Sequence, residues 1–293
     1  MPDYAVLLRR GRRLRTLALL LGIGAAVAQA EGIQSLNVLS PPLKAAVSDT
    51  NAVPFAIFAS AGQLSGGLAK DLLDLVGTDL RSQVMYLDIP RARLEPWLVS
   101  GQAEVGCFLN PQWVSEPKRF DWTDTLFFSR QLIIRRRDSA PVRQLADLYY
   151  KRVGTTFGFV YPELQQAFAE RLITRDDAHS LQSNLQRLAQ QRLDAVMTVD
   201  LSFFYLMQHQ QFDADFVAEP MWSDAPGVFC AVSQQSPRRQ AILRAFSRLK
   251  AEGVIDRLLQ KTKARPAEQA QWPTGSSFSL GIFRPSSLPR SLA

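Results

Sequence analysis

The stretch FDWTDTLFFSRQLIIRRRDSAPVRQLADLYYKRVGTTFG, residues 120–158, decides the fold, because one α/β unit ends inside it and a second begins. Gln131 to Ile134 is an apolar run flanked by arginines and followed by Asp138, Ser139 and Pro141, as suits a strand leaving one unit for a polar connection. Val142 to Tyr149 places Val142, Leu145, Ala146 and Tyr149 on one helical face. Arg152 to Phe157 then reads as a short strand closing on the small-residue turn Thr155-Thr156-Phe157-Gly158. Helix, strand and turn in that order open a new α/β layer.

Working back toward the N-terminus, Leu36 to Leu39 reads as a first strand, followed by a Pro41-Pro42 break and an irregular segment through Val53-Pro54-Phe55. After the small-residue loop Gly62 to Gly67, a helix over Leu68 to Val76 ends at Gly77. Val84 to Leu87 is a strand, Ala92 to Val99 a helix stopped by Ser100-Gly101, and Glu104 to Leu109 a strand. Toward the C-terminus come helices over Pro162 to Arg171 and Ser180 to Gln191, a strand over Leu193 to Val199 and a helix over Asp200 to Gln210. The apolar stripe of that last helix, Phe203, Phe204 and Met207, reads as core. Gly227 to Val232 is a returning strand, and helices over Pro237 to Ala251 and Val254 to Gln260 close the pattern. The repeated β-loop-α order predicts mostly parallel sheets.

Both ends stand apart from this core. Arg9, Arg10, Arg12, Arg13 and Arg15 precede the uncharged run Thr16 to Val27, and Ala28-Gln29-Ala30 has the small-x-small form of a signal peptidase site. Residues 1–30 therefore read as a cleaved secretory signal, the apolar run being short of the roughly 20 residues a span requires. Removing its five arginines and one aspartate reduces the formal charge from +7 to +3, which leaves no electrostatic footprint for nucleic acid. From Arg265 onward Pro, Ser and Gly dominate, as in a disordered tail. Cys107 and Cys230 sit in apolar strand-like runs and form either one bridge or two buried thiols, with core packing favouring the thiols. His179 and His209 have no partners at ligand spacing, so neither a metal nor a cofactor is expected.

Several segments together carry a family resemblance: Val53-Pro54-Phe55, Gly67-Leu68-Ala69-Lys70-Asp71-Leu72, Leu98 to Glu104, Phe120 to Asp124, Leu145 to Leu148 with Arg152-Val153-Gly154, and Leu193-Asp194-Ala195-Val196. In order and spacing, over about residues 35 to 262, the chain resembles the bacterial extracellular solute-binding protein family 3, the polar amino acid-type substrate-binding proteins of ABC transporters. The resemblance implies an α/β, two-lobed periplasmic binding protein-like fold of type II, with two mixed, mostly parallel sheets joined by two crossing strands. Residues 31–134 plus 228–264 would form a discontinuous first lobe and 135–227 the second, crossing near Leu132 to Arg137 and Ala225 to Val232. It also implies a periplasmic monomer that captures a small polar or zwitterionic solute between its lobes and delivers it to an inner-membrane ABC permease. Two other roles on the same architecture are docking on a sensor receptor and a cyclohexadienyl-type dehydration. The last would need a cleft acid, with Glu163 and Asp200 as candidates.

Ligands of open α/β sheets sit outside the carboxyl ends of strands. On that rule the second lobe offers Thr155, Thr156 and Phe157, whose hydroxyls and backbone N–H groups beside Gly158 suit a carboxylate. The first lobe offers Asn110 to orient a polar group, Trp113 and Phe55 as walls, and Arg91 to pair with an anion. Two positions depart from the amino acid-binding pattern. Glu116 stands where an arginine usually holds the α-carboxylate, and Asp200 lies one residue beyond the usual place of the acid that holds the α-ammonium. No GxSxG, HExxH or phosphate-cradling glycine loop is present, so the chain reads as a binding protein and not an enzyme.

Overall fold

The computed structural model describes residues 40–59, 62–210, 212 and 214–264; the expected signal segment, the Leu36 to Leu39 strand and the tail from residue 265 lie outside them. The first half of the chain runs β1 (Ser40–Ser48), β2 (Ile57–Phe58), β3 (Leu64–Gly66), α1 (Leu68–Asp79), β4 (Ser82–Ile89), α2 (Arg91–Ser100), β5 (Val105–Leu109), β6 (Phe120–Trp122) and β7 (Phe127–Phe128). The second half runs β8 (Gln131–Arg136), β9 (Arg152–Thr156), α3 (Gln165–Ala169), β10 (Thr174–Ala178), α4 (Leu181–Ala189), β11 (Ala195–Val199), α5 (Asp200–His209), β12 (Phe216–Pro220), β13 (Gly227–Ser233), α6 (Arg239–Ala251) and α7 (Val254–Ala264).

One sheet has the order β4-β1-β5-β13-β6, with β7 also on β13, and the other has the order β10-β9-β11-β8-β12. β1 pairs parallel with β5 through Ala45 and Val105, whereas β13 runs antiparallel to β5. In the second sheet β9, β10 and β11 are mutually parallel, and β8 is antiparallel to both β11 and β12. β2 and β3 form a separate antiparallel pair, so the fold is α/β with two mixed sheets and one small two-stranded sheet.

The prolines do not interrupt the chain as the sequence suggests. They sit inside β1 near its start, where a missing N–H costs little, and their carbonyls accept from Arg238 at 2.6 and 2.7 Å. Leu43, Ala45 and Val47 behind them are buried at the centre of the sheet. The Arg238 guanidinium also grips the Glu104 carboxylate at 2.9 and 2.6 Å, and Ser236 Oγ and Lys44 N–H donate to the same carboxylate. Burial alone would raise the Glu104 carboxyl, but the hydrogen bonds from Arg238, Ser236 and Lys44 and the Arg238 charge outweigh it and hold the pKa below the ordinary value. This network joins the starts of β1, β5 and α6.

Four other local expectations change. α1 runs through Gly77 to Asp79, and Gly77 serves close packing instead, since a Cβ there would lie 2.6 Å from Val84. The segment from Val142 to Tyr149 forms only a short 3-10 turn over Leu145–Leu148, preceded by Gln144 in an extended conformation as its N-cap. Val142 N–H donates to Glu219, and Arg143 and Gln144 N–H donate to Asp147. Pro162–Leu164 is likewise a 3-10 turn before α3. β10, with sequence TRDDA, and β12 carry no alternating apolar pattern, because each lies at a sheet edge and pairs on one side only.

The passage between sheets falls at Ser129–Arg130, ahead of the expected Leu132 to Arg137, since all of β8 pairs within the second sheet. Ile133 and Ile134 are fully buried there, as a strand flanked on both sides requires. The return falls between Pro220 and Gly227, just before β13. Cys107 and Cys230 face each other across β5 and β13 and form a disulfide, which corrects the reading of two buried thiols. A sequence separation of 123 hides that adjacency. Among the described residues, no helix is long and apolar enough to cross a membrane, and no group of three His, Cys, Asp or Glu is placed to hold a metal.

Candidate functional site

A cavity of about 970 Å³, its open mouth included, lies between the two sheets. β5 and β13 of the first sheet and β8, β9 and β11 of the second all contribute to its lining, which matches the rule that α/β ligand sites form beyond strand ends.

Phe55 reaches this cavity because its loop is tied to α1. The carbonyls of Pro54 and Phe55 accept the first amides of the helix, from Leu68 at 2.9 Å and Ala69 at 2.8 Å. Gly67 permits this closeness: its φ is +95°, and a Cβ would stand 2.9 Å from both carbonyl oxygens. The Phe55 ring then tilts against Phe108 at 4.9 Å. Phe108 has φ +62° within β5, where the register with β13 shifts at Phe229 and Cys230. A regular strand would send neighbours to opposite faces, whereas this kink lets Cys107, Phe108 and Leu109 all line the cavity. Bulky residues rarely hold that conformation, and such outliers cluster where a site is shaped.

Arg91 opens α2, directly after β4, and lines the cavity while only 8 % exposed. Its Nη2 donates to the Trp113 carbonyl at 3.2 Å. Its nearest carboxylate is Glu95, at 3.7 Å from Nη1, and the other Glu95 oxygen already accepts from Ser115 N–H and Oγ at 2.8 and 2.7 Å. Burial lowers the Arg91 pKa, and the Glu95 charge offsets part of that. The guanidinium is therefore a buried cation in an ion pair with Glu95, whose carboxylate also accepts from Ser115.

From the second sheet come Gln131, Thr156 and Met197, from the connection after β9 comes Tyr161, and from α5 comes Ser202. Two polar atoms among them have no partner: Gln131 Oε1, on a side chain 7 % exposed, and Ser202 Oγ, fully buried. Buried polar groups are almost always satisfied, so these two are exceptions among the side chains behind the cavity wall. Tyr161 is also buried, and burial raises its pKa; its hydroxyl accepts the Thr156 N–H at 2.9 Å.

Of the residues expected at a site, the structure brings Phe55, Arg91, Trp113 and Thr156 to this cavity. Asn110 lies beside it with both ends of its amide engaged, Nδ2 donating to the Gly227 carbonyl and Oδ1 accepting the Gln112 N–H, each at 2.8 Å. Thr155 is fully buried within the sheet, its hydroxyl donating to Asp177 at 2.7 Å. Phe157 is 52 % exposed and packs on His179. The turn they form is not an open nest of donors, because the amides of Thr156, Phe157 and Phe159 all have protein acceptors. Its tip still reaches the other wall, where a Cβ on Gly158, at φ +75°, would lie 3.2 Å from Arg91 Cβ.

Asp200 lines a second cavity beside Phe128 and Phe204, and its carboxylate accepts from Ser129 Oγ at 2.8 Å and Leu201 N–H at 2.7 Å. The α5 stripe is accordingly divided, with Phe203 buried and Phe204 exposed. Glu163 is exposed and lines neither cavity. Sequence reasoning missed Gln131 and Ser202. Their one signal was a polar side chain heading or interrupting an apolar run, QLII and LSFF.

No family model and no curated protein matches the chain. Solved structures do match. An ancestral arginine-binding protein bound to arginine is 21 % identical with a TM-score of 0.63, over 76 % of this chain and 98 % of that one. The substrate-binding protein of an amino acid ABC transporter is 19 % identical with a TM-score of 0.61, over 77 % of this chain and all of that one. An ancestral amino acid-binding protein, described as a precursor of cyclohexadienyl dehydratase, is 19 % identical with a TM-score of 0.60, over 75 % and 94 %. These likenesses establish the fold class, the two-lobed α/β architecture of type II periplasmic binding proteins.

Proposed function

We propose that the chain is an exported, monomeric solute-binding protein that captures a small polar or zwitterionic solute between its two sheets and delivers it to an ABC permease. The observation that carries this reading is the cavity between the two sheets, largely apolar in its lining and with the buried Arg91 guanidinium in its wall. Phe55, Arg91, Trp113 and Thr156 would touch the solute, while Asn110, Thr155, Phe157 and Asp200 would hold the walls. The folds of amino acid-binding relatives support a solute of that size. The sheets are joined through Ser129–Arg130 and residues 221–226, so bending there would open and close the cavity. No acid lines it among the described residues, which favours binding over dehydration chemistry.

A thermal-shift screen of residues 31–293 against amino acids, amines, organic acids and short peptides tests the proposal. A solute that binds the native state alone raises Tm, by about 2.7 kcal/mol of added stability at a hundred times its Kd. If no small solute shifts Tm while a receptor domain does, the uptake reading fails and the sensory role replaces it.

A further inference from the structure

The second cavity, of about 920 Å³ with its open mouth included, lies against the passage between the sheets. Its walls come from β7 and Ser129, from α5, and from α7 through Leu259 and Thr262. Two rings on it are uncovered, Phe128 at 70 % exposed and Phe204 at 53 %. Single exposed apolar residues are ordinary, but two phenylalanines on one concave surface form a patch suited to an apolar occupant.

The same surface carries one charge. The Asp200 carboxylate accepts from Ser129 Oγ at 2.8 Å and Leu201 N–H at 2.7 Å, both at Oδ1. Among the described residues no donor and no cation meets Oδ2. Nor is that atom enclosed, because the described side-chain atoms that are both buried and without a partner are Gln131 Oε1 and Ser202 Oγ. No lysine, arginine or histidine is among the described residues lining this cavity.

An open carboxylate beside aromatic faces favours one kind of occupant. A cation at Oδ2 gains a charge-assisted hydrogen bond, and phenylalanine faces attract positive charge as well as hydrocarbon. A neutral molecule keeps the apolar contact and forgoes the charge. An α-amino acid brings a second carboxylate, which the Asp200 charge repels and for which the described lining offers no cation.

We propose that the second cavity binds an organic cation, a primary amine on an apolar or aromatic body, in preference to the alcohol or the α-amino acid that carries the same body. The ammonium donates to Asp200 Oδ2, and the body covers Phe128 and Phe204. Among the described lining residues this cavity shares only Ser129 with the solute cavity, so the inference stands apart from the solute-binding reading.

Methyl NMR titrations of residues 31–293 test it, read at Leu201 and Leu259, which line this cavity and not the other. The probes are 2-phenylethylamine, 2-phenylethanol and phenylalanine. The amine is expected to shift both sets of methyl signals with a Kd on the order of 1 mM and to bind about fivefold tighter than either of the others, the worth of one ion pair and ring contact at an open site. Asp200→Asn keeps an Oδ1 acceptor for Ser129 and Leu201 while removing the charge. It should bring the amine to within about twofold of the alcohol without changing the alcohol's own affinity, whereas a general loosening of the site would weaken both. If Asp200→Asn does not fold, salt decides on the native chain: between about 20 mM and about 500 mM NaCl the amine's advantage over the alcohol should fall at least about twofold. The inference is overturned if the alcohol or phenylalanine binds as tightly as the amine, if the advantage survives both the substitution and the salt, or if no probe moves the Leu201 and Leu259 signals.

Discussion

Replacing both cysteines with alanine should weaken the fold more than any other double substitution among the small buried residues. The Cys107–Cys230 bridge closes a loop with a sequence separation of 123, so in the unfolded chain it removes a large share of conformational freedom. The loop-closure relation gives about 5 kcal/mol for that length at 25 °C, and measured values for such bridges fall more often at about 2–4 kcal/mol because unfolded chains retain structure. The folded state loses little in compensation, since the two positions already face each other in the β5–β13 ladder, with Cys230 fully buried. Urea unfolding of the Cys107→Ala/Cys230→Ala variant should therefore show ΔG lowered by about 3 kcal/mol or more, with Tm lowered by about 10 °C. Adding a reductant to the unfolded wild-type protein and refolding it should reproduce the shift. The reasoning is refuted if the unreduced protein, once denatured, reacts with a thiol reagent at both cysteines, or if the variant unfolds within about 1 kcal/mol of wild type.

Two further outcomes follow from the packing around β1 and α1. Glu104→Gln should cost about 2–3 kcal/mol at neutral pH by unbalancing the Arg238 network. Because the folded Glu104 pKa is depressed, its contribution is present above the unfolded value of about 4.3 and is lost as pH falls through the lower folded value. The stability gap between wild type and variant should thus narrow between pH 7 and pH 3, as urea midpoints at the two pH values would show; a gap independent of pH contradicts the assignment. Gly67→Ala should destabilise by about 2–4 kcal/mol, from a positive φ and a Cβ driven against two carbonyls. It should also weaken solute binding by displacing Phe55, so a variant of unchanged affinity would remove Phe55 from the site.

The legibility of the fold varied with burial. Strands flanked on both sides, such as β5, β8, β11 and β13, show as apolar runs because each side chain meets core. β10 and β12 did not show, since an edge strand is held by one neighbour's backbone and imposes little pattern on its side chains. The helix expected over Val142 to Tyr149 is reduced to the 3-10 turn Leu145–Leu148, and the start of the segment is held by a contact that no local pattern shows, Val142 N–H to Glu219 of β12, 77 residues away.

At the site, Arg91, Trp113, Phe55 and Thr156 could be found from position alone, because residues after strand ends face the cleft of a two-lobed fold. Asp200 obeys the same rule by position, yet the carboxylate lies on the other side, where Ser129 and Leu201 hold it.

The sequence by itself determined the α/β class and the order of the buried strands and the longer helices, since these follow from local periodicity and turn chemistry. The tertiary structure decided which side chains meet. It joined Cys107 to Cys230, buried Arg91 beside a counter-charge that is already shared, and left Gln131 and Ser202 with polar atoms unpaired. Those are relations between residues far apart in the chain, and hydrogen bonding and desolvation depend on distance in space, which no local pattern encodes.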